Sequence, residues 1–278
     1  MKILRLYFRL LLHFGSYYWR AKTIYDIHSP FVTDLIKAVL EDDRFFYAFA
    51  GIESLREKLL QNKAILHIED HGAGSKVNNS ITRTVADIAK YAAISSNTGK
   101  QLFRLVNFCK PKTILELGTS LGISTLYLAN AALNAKIITI EGCHDVVEQA
   151  KHHFDIMKAS HIEIKEGVFE ELLYPALTNL KTLDFLFLDG DHRAGASLQY
   201  FEQCLPYAHE NSVFVIADIH WSDEMEQAWK QMQQHPRITL SVDLFHFGLL
   251  FFRKERQEKE HFVLIEKRYK PWRLGLFG

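Results

Sequence analysis

Short apolar runs rich in β-branched and aromatic residues alternate with helical patterns in the second half of the chain. The runs occupy residues 113–117, 136–140, 162–165, 183–188 and 213–217. The segments between them have room for helices, and between the second and third runs apolar residues return at helical spacing. Strands separated by helices predict a parallel, doubly wound sheet that is covered on both faces.

Two further apolar runs, 238–242 and 247–252, lie close together in the sequence. Parallel neighbours need a long crossover connection, whereas antiparallel neighbours need only a short one. These two runs therefore predict an antiparallel pair. The predicted fold class is α/β, with a doubly wound, mainly parallel seven-stranded sheet that ends in this hairpin.

The first hundred residues show mainly helical patterns. We predict helices over residues 3–20 and 82–93, and another that begins at Ser29-Pro30, where a serine N-cap precedes proline at the first helical position. The predicted organisation is a helical N-terminal extension or lid, residues 1–94, followed by the main domain, residues 95–278.

A polar, glycine-bearing segment occupies residues 67–80 and contains His67, Glu69 and His71. The spacing of these three residues allows a zinc site, yet no further histidine or cysteine lies near them in the sequence. We interpret the segment as a mobile loop that closes over a ligand, because glycine-rich polar loops reorder easily.

Composition and charge exclude several classes of protein. Hydrophobic residues make up 48% of the chain and charged residues 24%, which excludes a disordered or fibrous protein. The 33 basic residues equal the 33 acidic ones, but residues 1–22 sum to +5, residues 253–278 to +4 and the middle to −9. An acidic middle argues against a nucleic-acid partner.

The N-terminal segment and the cysteines bear on location. Residues 1–22 resemble a signal peptide only superficially, because Arg5, Arg9 and His13 interrupt the apolar residues. We expect an amphipathic helix that packs on its own domain or on a second copy in a homodimer, with peripheral membrane contact as the alternative. The chain has no apolar run long enough to span a bilayer, and its three cysteines lack disulfide spacing, so we expect a cytoplasmic protein.

A glycine loop follows the first predicted strand of the sheet. Gly118 and Gly122 precede a helix, so bare backbone N–H groups and a positive helix end should lie at the carboxyl edge of the sheet. A dinucleotide fingerprint requires two further glycines, and Ser120 and Ile123 occupy those positions. The loop therefore predicts a ligand other than a dinucleotide.

Two acidic residues flank this loop. Glu116 lies two residues before the first glycine, and Glu141 ends the second strand. A carboxylate would repel a pyrophosphate but attract an ammonium group, and a second carboxylate can accept both hydroxyls of a ribose. The implied ligand has a ribose and an amino-acid head group without a phosphate.

This pattern resembles the class I S-adenosylmethionine-dependent methyltransferases. The motif is E-x-G-x-x-x-G at 116–122, and segments 95–101 (SSNTGKQ) and 187–192 (FLDGDH) are most similar to the catechol and caffeoyl-CoA O-methyltransferase branch. The resemblance covers about residues 95–253. The whole chain, including segments 27–31 and 72–75, is similar to predicted methyltransferases of Bacteroidetes bacteria.

The resemblance implies a Rossmann-like methyltransferase fold, S-adenosyl-L-methionine as cofactor and methyl transfer to an oxygen of a small-molecule acceptor. It places Glu116 and Gly118 at the methionine moiety, Ser124 at its carboxylate, Glu141 at the ribose and residues 168–169 at the adenine. The complete set of implied cofactor residues is Glu116, Gly118, Ser120, Gly122, Ser124, Glu141, Val168, Phe169 and Asp189.

The resemblance leaves metal dependence open. The branch binds a divalent cation through an aspartate after strand four and an Asp-Asn pair after strand five. Asp189 and Asp218 match the two aspartates, but Ile219 stands in the place of the asparagine. Two carboxylates can hold Mg²⁺ if water and substrate complete its octahedron.

The implied catalytic residues are His192, Asp189 and His220. His192 takes the place of the lysine that serves as base in the branch, and the ordinary histidine pKa near 6.5 suits that role. Asp191 is expected to orient His192, and His220 to contact the acceptor or to replace the missing ligand. The alternatives are structural histidines, a cofactor-binding protein without catalysis, and an RNA or protein methyltransferase.

Overall fold

A mostly parallel sheet lies at the centre of the computed structural model, which describes residues 2–68, 82–191, 193–254 and 258–273. In those residues the main sheet has eight strands, and a small antiparallel sheet pairs β1 (Ile65–His67) with β2 (Thr82–Thr84). The strands of the main sheet are β3 (Thr113–Leu117), β4 (Lys136–Glu141), β5 (Ile162–Glu166), β6 (Phe185–Leu188), β7 (Val213–Ala217), β8 (Leu240–Asp243), β9 (Phe247–Phe251) and β10 (Glu260–Val263).

The main sheet confirms the predicted topology. Its strand order is β10-β8-β9-β7-β6-β3-β4-β5, with parallel pairing from β7 through β5. Strand β9 runs antiparallel to both β7 and β8, which confirms the terminal hairpin. The chain reverses its direction of travel across the sheet at β3, between β4 and β6, and such a switch point is where α/β sheets bind ligands.

Strand β10 adds one strand to the seven that the sequence predicts. It pairs parallel to β8 at the edge of the sheet. Its residues Glu260 and His261 are polar or charged and its side chains are partly or fully exposed, so it lacks the continuous apolar run of the central strands. An edge strand needs burial on fewer sides and therefore leaves a weaker sequence pattern.

Helices cover both faces of the sheet. They are α1 (Lys2–Arg20), α2 (Pro30–Leu35), α3 (Tyr47–Gln61), α4 (Val85–Tyr91), α5 (Ser96–Cys109), α6 (Ile123–Ala131), α7 (His144–Ile156), α8 (Phe169–Leu180), α9 (Ala194–Cys204) and α10 (Asp223–Gln234). Alternate residues of each strand point to opposite faces, so Ile114 and Phe185 join one buried cluster while Leu115 and Leu186 join the other.

Serine and threonine caps explain where several helices begin. Ser29 Oγ accepts a hydrogen bond from the backbone N of Val32 at 3.5 Å, with proline at the first helical position as expected. The helix predicted over 82–93 is shorter than expected, because β-branched Thr82 and Thr84 form a strand and Thr84 then caps α4.

The N-terminal extension packs on the main sheet. Val32 and Leu35 of α2 belong to the same buried cluster as Ile114 and Phe185, and α3 packs on α6. The extension therefore covers the sheet, and the boundary at residue 94 stays a prediction.

Helix α1 lies against the C-terminal part of the chain. Tyr17 and Ala21 are buried with Ile265, and Tyr17 donates a hydrogen bond to the carbonyl of Leu264. Among the described side chains of the helix, Leu11, Leu12 and Trp19 are largely exposed. Packing of these side chains on a second copy stays a prediction, with contact to a membrane surface as the alternative. None of the described helices is long and apolar enough to cross a membrane.

Candidate active site

A cavity of about 640 Å³ lies at the carboxyl ends of the central strands, at the switch point beside β3. Side chains from α4 and from the start of α5, among them Tyr91 and Thr98, form part of its wall, so the N-terminal extension contributes to it. The predicted site residues in its lining are Gly118, Ser120, Ser124, Glu141, Val168, Phe169, Asp189 and Asp218.

The two glycines of the loop are required by its geometry. Gly118 has a φ of +99°, and a Cβ there would lie 2.7 Å from the carbonyl oxygen of Asp189. Gly122 has a φ of +80°, and its Cβ would lie 2.6 Å from the ring of Phe154. Both positions therefore favour glycine, because other residues rarely adopt this backbone conformation. Gly118 lets the loops after β3 and β6 touch.

Glu141 links the loops that follow β3 and β4. Its Oε2 accepts a hydrogen bond from the backbone N of Ser120 at 2.9 Å, and its Oε1 accepts one from the backbone N of Cys143 at 3.1 Å. A carboxylate has about four acceptor sites, so a ligand's hydroxyl groups can bind without displacing these bonds. The backbone thus holds this carboxylate at the cavity wall.

Glu116 lies beneath the cavity and is fully buried. Its Oε2 accepts hydrogen bonds from Thr125 Oγ1 at 2.5 Å and from Thr139 Oγ1 at 2.7 Å. Its Oε1 has no hydrogen-bond partner within the described residues. Burial raises the pKa of Glu116 to about 7. Glu116 therefore anchors the first turn of α6 from below, and direct contact with a ligand stays a prediction.

The raised pKa of Glu116 predicts a pH-dependent stability. Between pH 4.5 and 7 the folded protein holds a proton on Glu116 that the unfolded chain releases, so stability should fall as the pH rises through this range. The expected loss is about 3 kcal/mol, and Glu116→Gln should remove it. Urea unfolding at pH 5 and pH 8 measures the difference.

The control for this experiment is Glu202→Gln, which alters an exposed carboxylate of α9. It should keep the pH dependence of the unaltered protein. Equal pH dependence in Glu116→Gln and the unaltered protein would contradict the assignment.

Asp189 and Asp218 bring two carboxyl groups to the cavity. Burial raises the pKa of Asp189 well above its ordinary value, and the nearby charges of Asp218 and Glu116 raise it further. Ile219 is fully buried in the apolar cluster on one face of the sheet and offers no ligand atom there. Among the described residues, no histidine, cysteine or further carboxylate forms a group of three ligands with Asp189 and Asp218. The residues present therefore lack the third ligand of the branch and do not fit its metal site.

Of the two predicted catalytic histidines, the structure describes His220 but not His192. His192 lies outside the described residues, as do Glu69, His71 and the rest of 69–81. The carboxylate of Asp191, which was expected to orient His192, is held by Arg193, whose Nε donates to it at 2.6 Å. The role of His192 as base and that of Asp191 in orienting it are therefore not tested by the structure and stay predictions.

His220 does not line the cavity. It is 4% exposed, its Nε2 lies 2.9 Å from Asp243 Oδ2, and its ring stacks on Phe245. The neighbours of His220 in the structure are Asp243 and Phe245. Contact between His220 and an acceptor stays a prediction.

His246 is a cavity residue that the sequence reasoning missed. It lies in the connection between β8 and β9, and Phe247, the first residue of β9, pairs with Ala217, the last residue of β7. Desolvation lowers the pKa of His246, although the charge of Asp218 raises it. Its imidazole is therefore neutral at pH 7 and can accept a proton. The sequence contained the information needed to place His246. Because β9 is antiparallel to β7, it begins where β7 ends, so the residue just before β9 should lie at the cavity edge of the sheet.

Comparison with protein families identifies the central segment. Residues 115–219 match the family model described as a methyltransferase domain. The chain is 31% identical over 133 residues to a catechol O-methyltransferase from Niastella koreensis, covering 46% of this chain and 58% of the relative. It is 26% identical over 126 residues to a malonyl-[acyl-carrier protein] O-methyltransferase from Geobacter sulfurreducens, covering 41% and 47%. The chain thus spans about half the length of the curated relatives it matches.

Solved structures share the fold. An O-methyltransferase of tomaymycin synthesis from Streptomyces achromogenes, in complex with S-adenosylmethionine, has a TM-score of 0.52 at 21% identity and covers 58% of this chain and 82% of its own. An O-methyltransferase from Bacillus cereus, in complex with S-adenosylhomocysteine, has a TM-score of 0.55 at 16% identity and covers 80% and 97%. At these identities the likeness concerns the fold.

Proposed function

Because the chain carries a class I S-adenosylmethionine-dependent methyltransferase domain, we propose that it transfers a methyl group from S-adenosyl-L-methionine to an oxygen of a small-molecule acceptor. The observation that carries the proposal is the cavity at the switch point, on which Gly118, Ser124 and Glu141 converge. The cavity size and its mixed lining suit a ligand of this size and polarity.

The cofactor would lie along the carboxyl ends of the strands. Ser124 and the N-terminal N–H groups of α6 would hold the methionine carboxylate, since a helix N-terminus favours an anion. Glu141 would accept the ribose hydroxyls, and residues 168–169 would border the adenine. The ammonium group would lie nearest to Glu116 and would favour its ionised form.

S-adenosyl-L-methionine supplies an electrophilic methyl carbon on a sulfonium sulfur. The chain's own residues must hold the acceptor oxygen in line and remove its proton. We assign the proton acceptor to His192 by resemblance, with His246 as the alternative on the cavity wall. Asp189 can keep its proton and donate a hydrogen bond to the acceptor, because its pKa is raised.

The N-terminal extension would supply part of the acceptor pocket. Tyr91 and Thr98 line the cavity from the extension and from the helix that follows it. The middle of the chain sums to −9, which disfavours a nucleic-acid partner. A small molecule is therefore the proposed partner, and no nucleic acid is expected.

Glu141→Ala tests the cofactor assignment. The variant should bind S-adenosylhomocysteine about ten- to a hundredfold more weakly, because it loses a charged acceptor worth roughly 1.5–3 kcal/mol. Glu166→Ala is the matched control, since Glu166 pairs with Glu141 in register but is exposed at the end of β5. Calorimetry measures both, and NAD should not bind. Tight NAD binding without a response to S-adenosylhomocysteine would contradict the proposal.

Turnover separates the proposed enzyme from its rivals. Formation of S-adenosylhomocysteine is measured first with a panel of catechols and then with RNA and protein acceptors. Methylation of a small molecule supports the proposal. Cofactor binding without turnover on any acceptor would favour a binding module, and turnover on RNA alone would favour the other rival.

A further inference from the structure

Two histidines and a glutamate meet where α1 crosses the main domain. His13 of α1, His220 after β7 and Glu226 of α10 each place a ligand atom within 4.8 Å of the other two. The group lies outside the cavity lining and takes no part in the proposed reaction. We propose that these three residues form a Zn²⁺ site that fastens α1 to the main domain.

Each histidine directs one ring nitrogen towards Glu226. His13 Nδ1 lies 3.2 Å from Glu226 Oε2, and His220 Nδ1 lies 3.8 Å from Glu226 Oε1. Ligands about 2.1 Å from a tetrahedral ion lie about 3.4 Å apart, which falls between these two distances. The three side chains therefore need only small adjustments to surround one ion.

The other nitrogen of each histidine faces a separate carboxylate. His220 Nε2 lies 2.9 Å from Asp243 Oδ2, and His13 Nε2 lies 3.4 Å from Asp223 Oδ1. Metal-binding histidines usually donate their second N–H to a carboxylate, which fixes the ring and leaves the first nitrogen as the ligand. His220 has this hydrogen bond, and His13 Nε2 lies within ion-pair distance of Asp223.

His220 supplies an independent sign of a missing partner. Its side chain is 4% exposed, and its Nδ1 has no hydrogen-bond partner in the part of the chain that the structure describes. A buried polar atom is normally paired, so an unpaired nitrogen that faces a glutamate and a second histidine indicates a ligand. A Zn²⁺ ion would pair it.

The donor set selects the metal. Two imidazoles and one carboxylate form a recognised zinc ligand set with a fourth position for water, whereas Mg²⁺ prefers oxygen ligands. The surrounding aromatic side chains fix the ring of His220: Phe245 stacks on it at 5.4 Å, and Phe14 packs edge-on against Phe245 at 5.1 Å.

An ion pair without metal is the competing interpretation. A protonated His13 could pair with Asp223 and Glu226, and Lys230 Nζ lies 3.7 Å from Glu226 Oε1. That interpretation leaves His220 Nδ1 without a hydrogen-bond partner among the described residues. Lys230 is largely exposed and can turn away into solvent.

The site would act through α1. Arg9 of the same helix donates a hydrogen bond to the carbonyl of Trp221, and Trp221 lines the cavity three residues after Asp218. A metal ion at His13 and His220 would fix the helix and this segment together. Zinc loading would therefore stiffen one wall of the acceptor pocket.

Zinc titration of the full chain tests the proposal. Chelator-treated protein should bind one equivalent of Zn²⁺ by calorimetry, and the ion should raise the melting temperature. His13→Gln and His220→Gln should each abolish this binding, while Asp243→Asn should weaken it about 10–100-fold. Co²⁺ in the same site should give the visible absorption of tetrahedral nitrogen and oxygen ligation.

Two control variants separate this site from other carboxylates. His144→Gln removes a ligand from a second, exposed group of His144, Glu148 and Glu166, and Asp189→Asn alters the cavity. Both should keep the one-equivalent binding. Because buried His220→Gln could fail to fold, His13→Gln carries the test, with S-adenosylhomocysteine binding as its folding control. Absence of Zn²⁺ binding, binding that survives His13→Gln, or binding lost in His144→Gln would overturn the proposal.

Discussion

Gly118→Ala is expected to weaken S-adenosylhomocysteine binding by at least about tenfold and to destabilise the fold by about 2–5 kcal/mol. Alanine is strained at a φ of +99°, and its methyl group would lie 2.7 Å from the carbonyl oxygen of Asp189. The backbones of residue 118 and Asp189 cannot easily move apart, because both are held by hydrogen bonds. Gly118 N donates to Ile140 O, and Asp189 N donates to Leu117 O. Calorimetry and urea unfolding measure the two effects.

Gly195→Ala is the matched control. Gly195 lies in α9, and a Cβ there would meet no atom of the described residues within 4 Å. Alanine is the better helix former, so the free energy of unfolding of this variant should rise by about 0.5–1 kcal/mol. Its affinity for S-adenosylhomocysteine should not change. A Gly118→Ala protein that behaves like Gly195→Ala would show that the loop does not need its contact with the Asp189 backbone.

His192→Ala should lower kcat/KM by about 10²–10⁴-fold with little change in cofactor affinity, because a general base acts in the transition state. In the unaltered enzyme, kcat/KM should rise with pH through the ordinary histidine range, about 6–7. Steady-state kinetics from pH 5 to pH 9 provides both measurements.

His246→Ala and Mg²⁺ addition identify the alternatives to His192. A large loss of turnover in His246→Ala, with full activity in His192→Ala, would assign the base to the cavity histidine. Mg²⁺ added to chelated enzyme should change turnover little, because no histidine, cysteine or further carboxylate among the described residues completes a ligand group with Asp189 and Asp218. Restoration of a lost activity by Mg²⁺ would assign activation of the acceptor to that pair.

The central sheet could be predicted because its signals are local. Four of the five parallel strands, β3, β4, β6 and β7, are mostly apolar and buried, whereas β5 alternates apolar and charged residues. The glycine loop after β3 places two glycines at positive φ angles and in close contacts. Each signal is carried by consecutive residues, so the family resemblance and the fold class followed from the sequence and are confirmed.

The features that the sequence did not predict depend on contacts between residues that are distant in the chain. Edge strand β10 has no apolar run, and the burial of Glu116 depends on Thr125 and Thr139. His13 and His220 are over two hundred positions apart and meet only because α1 returns to the main domain. Sequence spacing cannot reveal such a group.

Three residues at the ends of the central strands adopt a left-handed backbone without being glycine. The φ angles are +48° for Ser120, +48° for Asp191 and +54° for Asp218. Such a conformation can cost about 1–3 kcal/mol at each position, and a glycine would relieve it. Ser120, Asp191 and Asp218 all border the cavity. Selection for heat resistance and selection for turnover would therefore act on the same three positions in opposite directions.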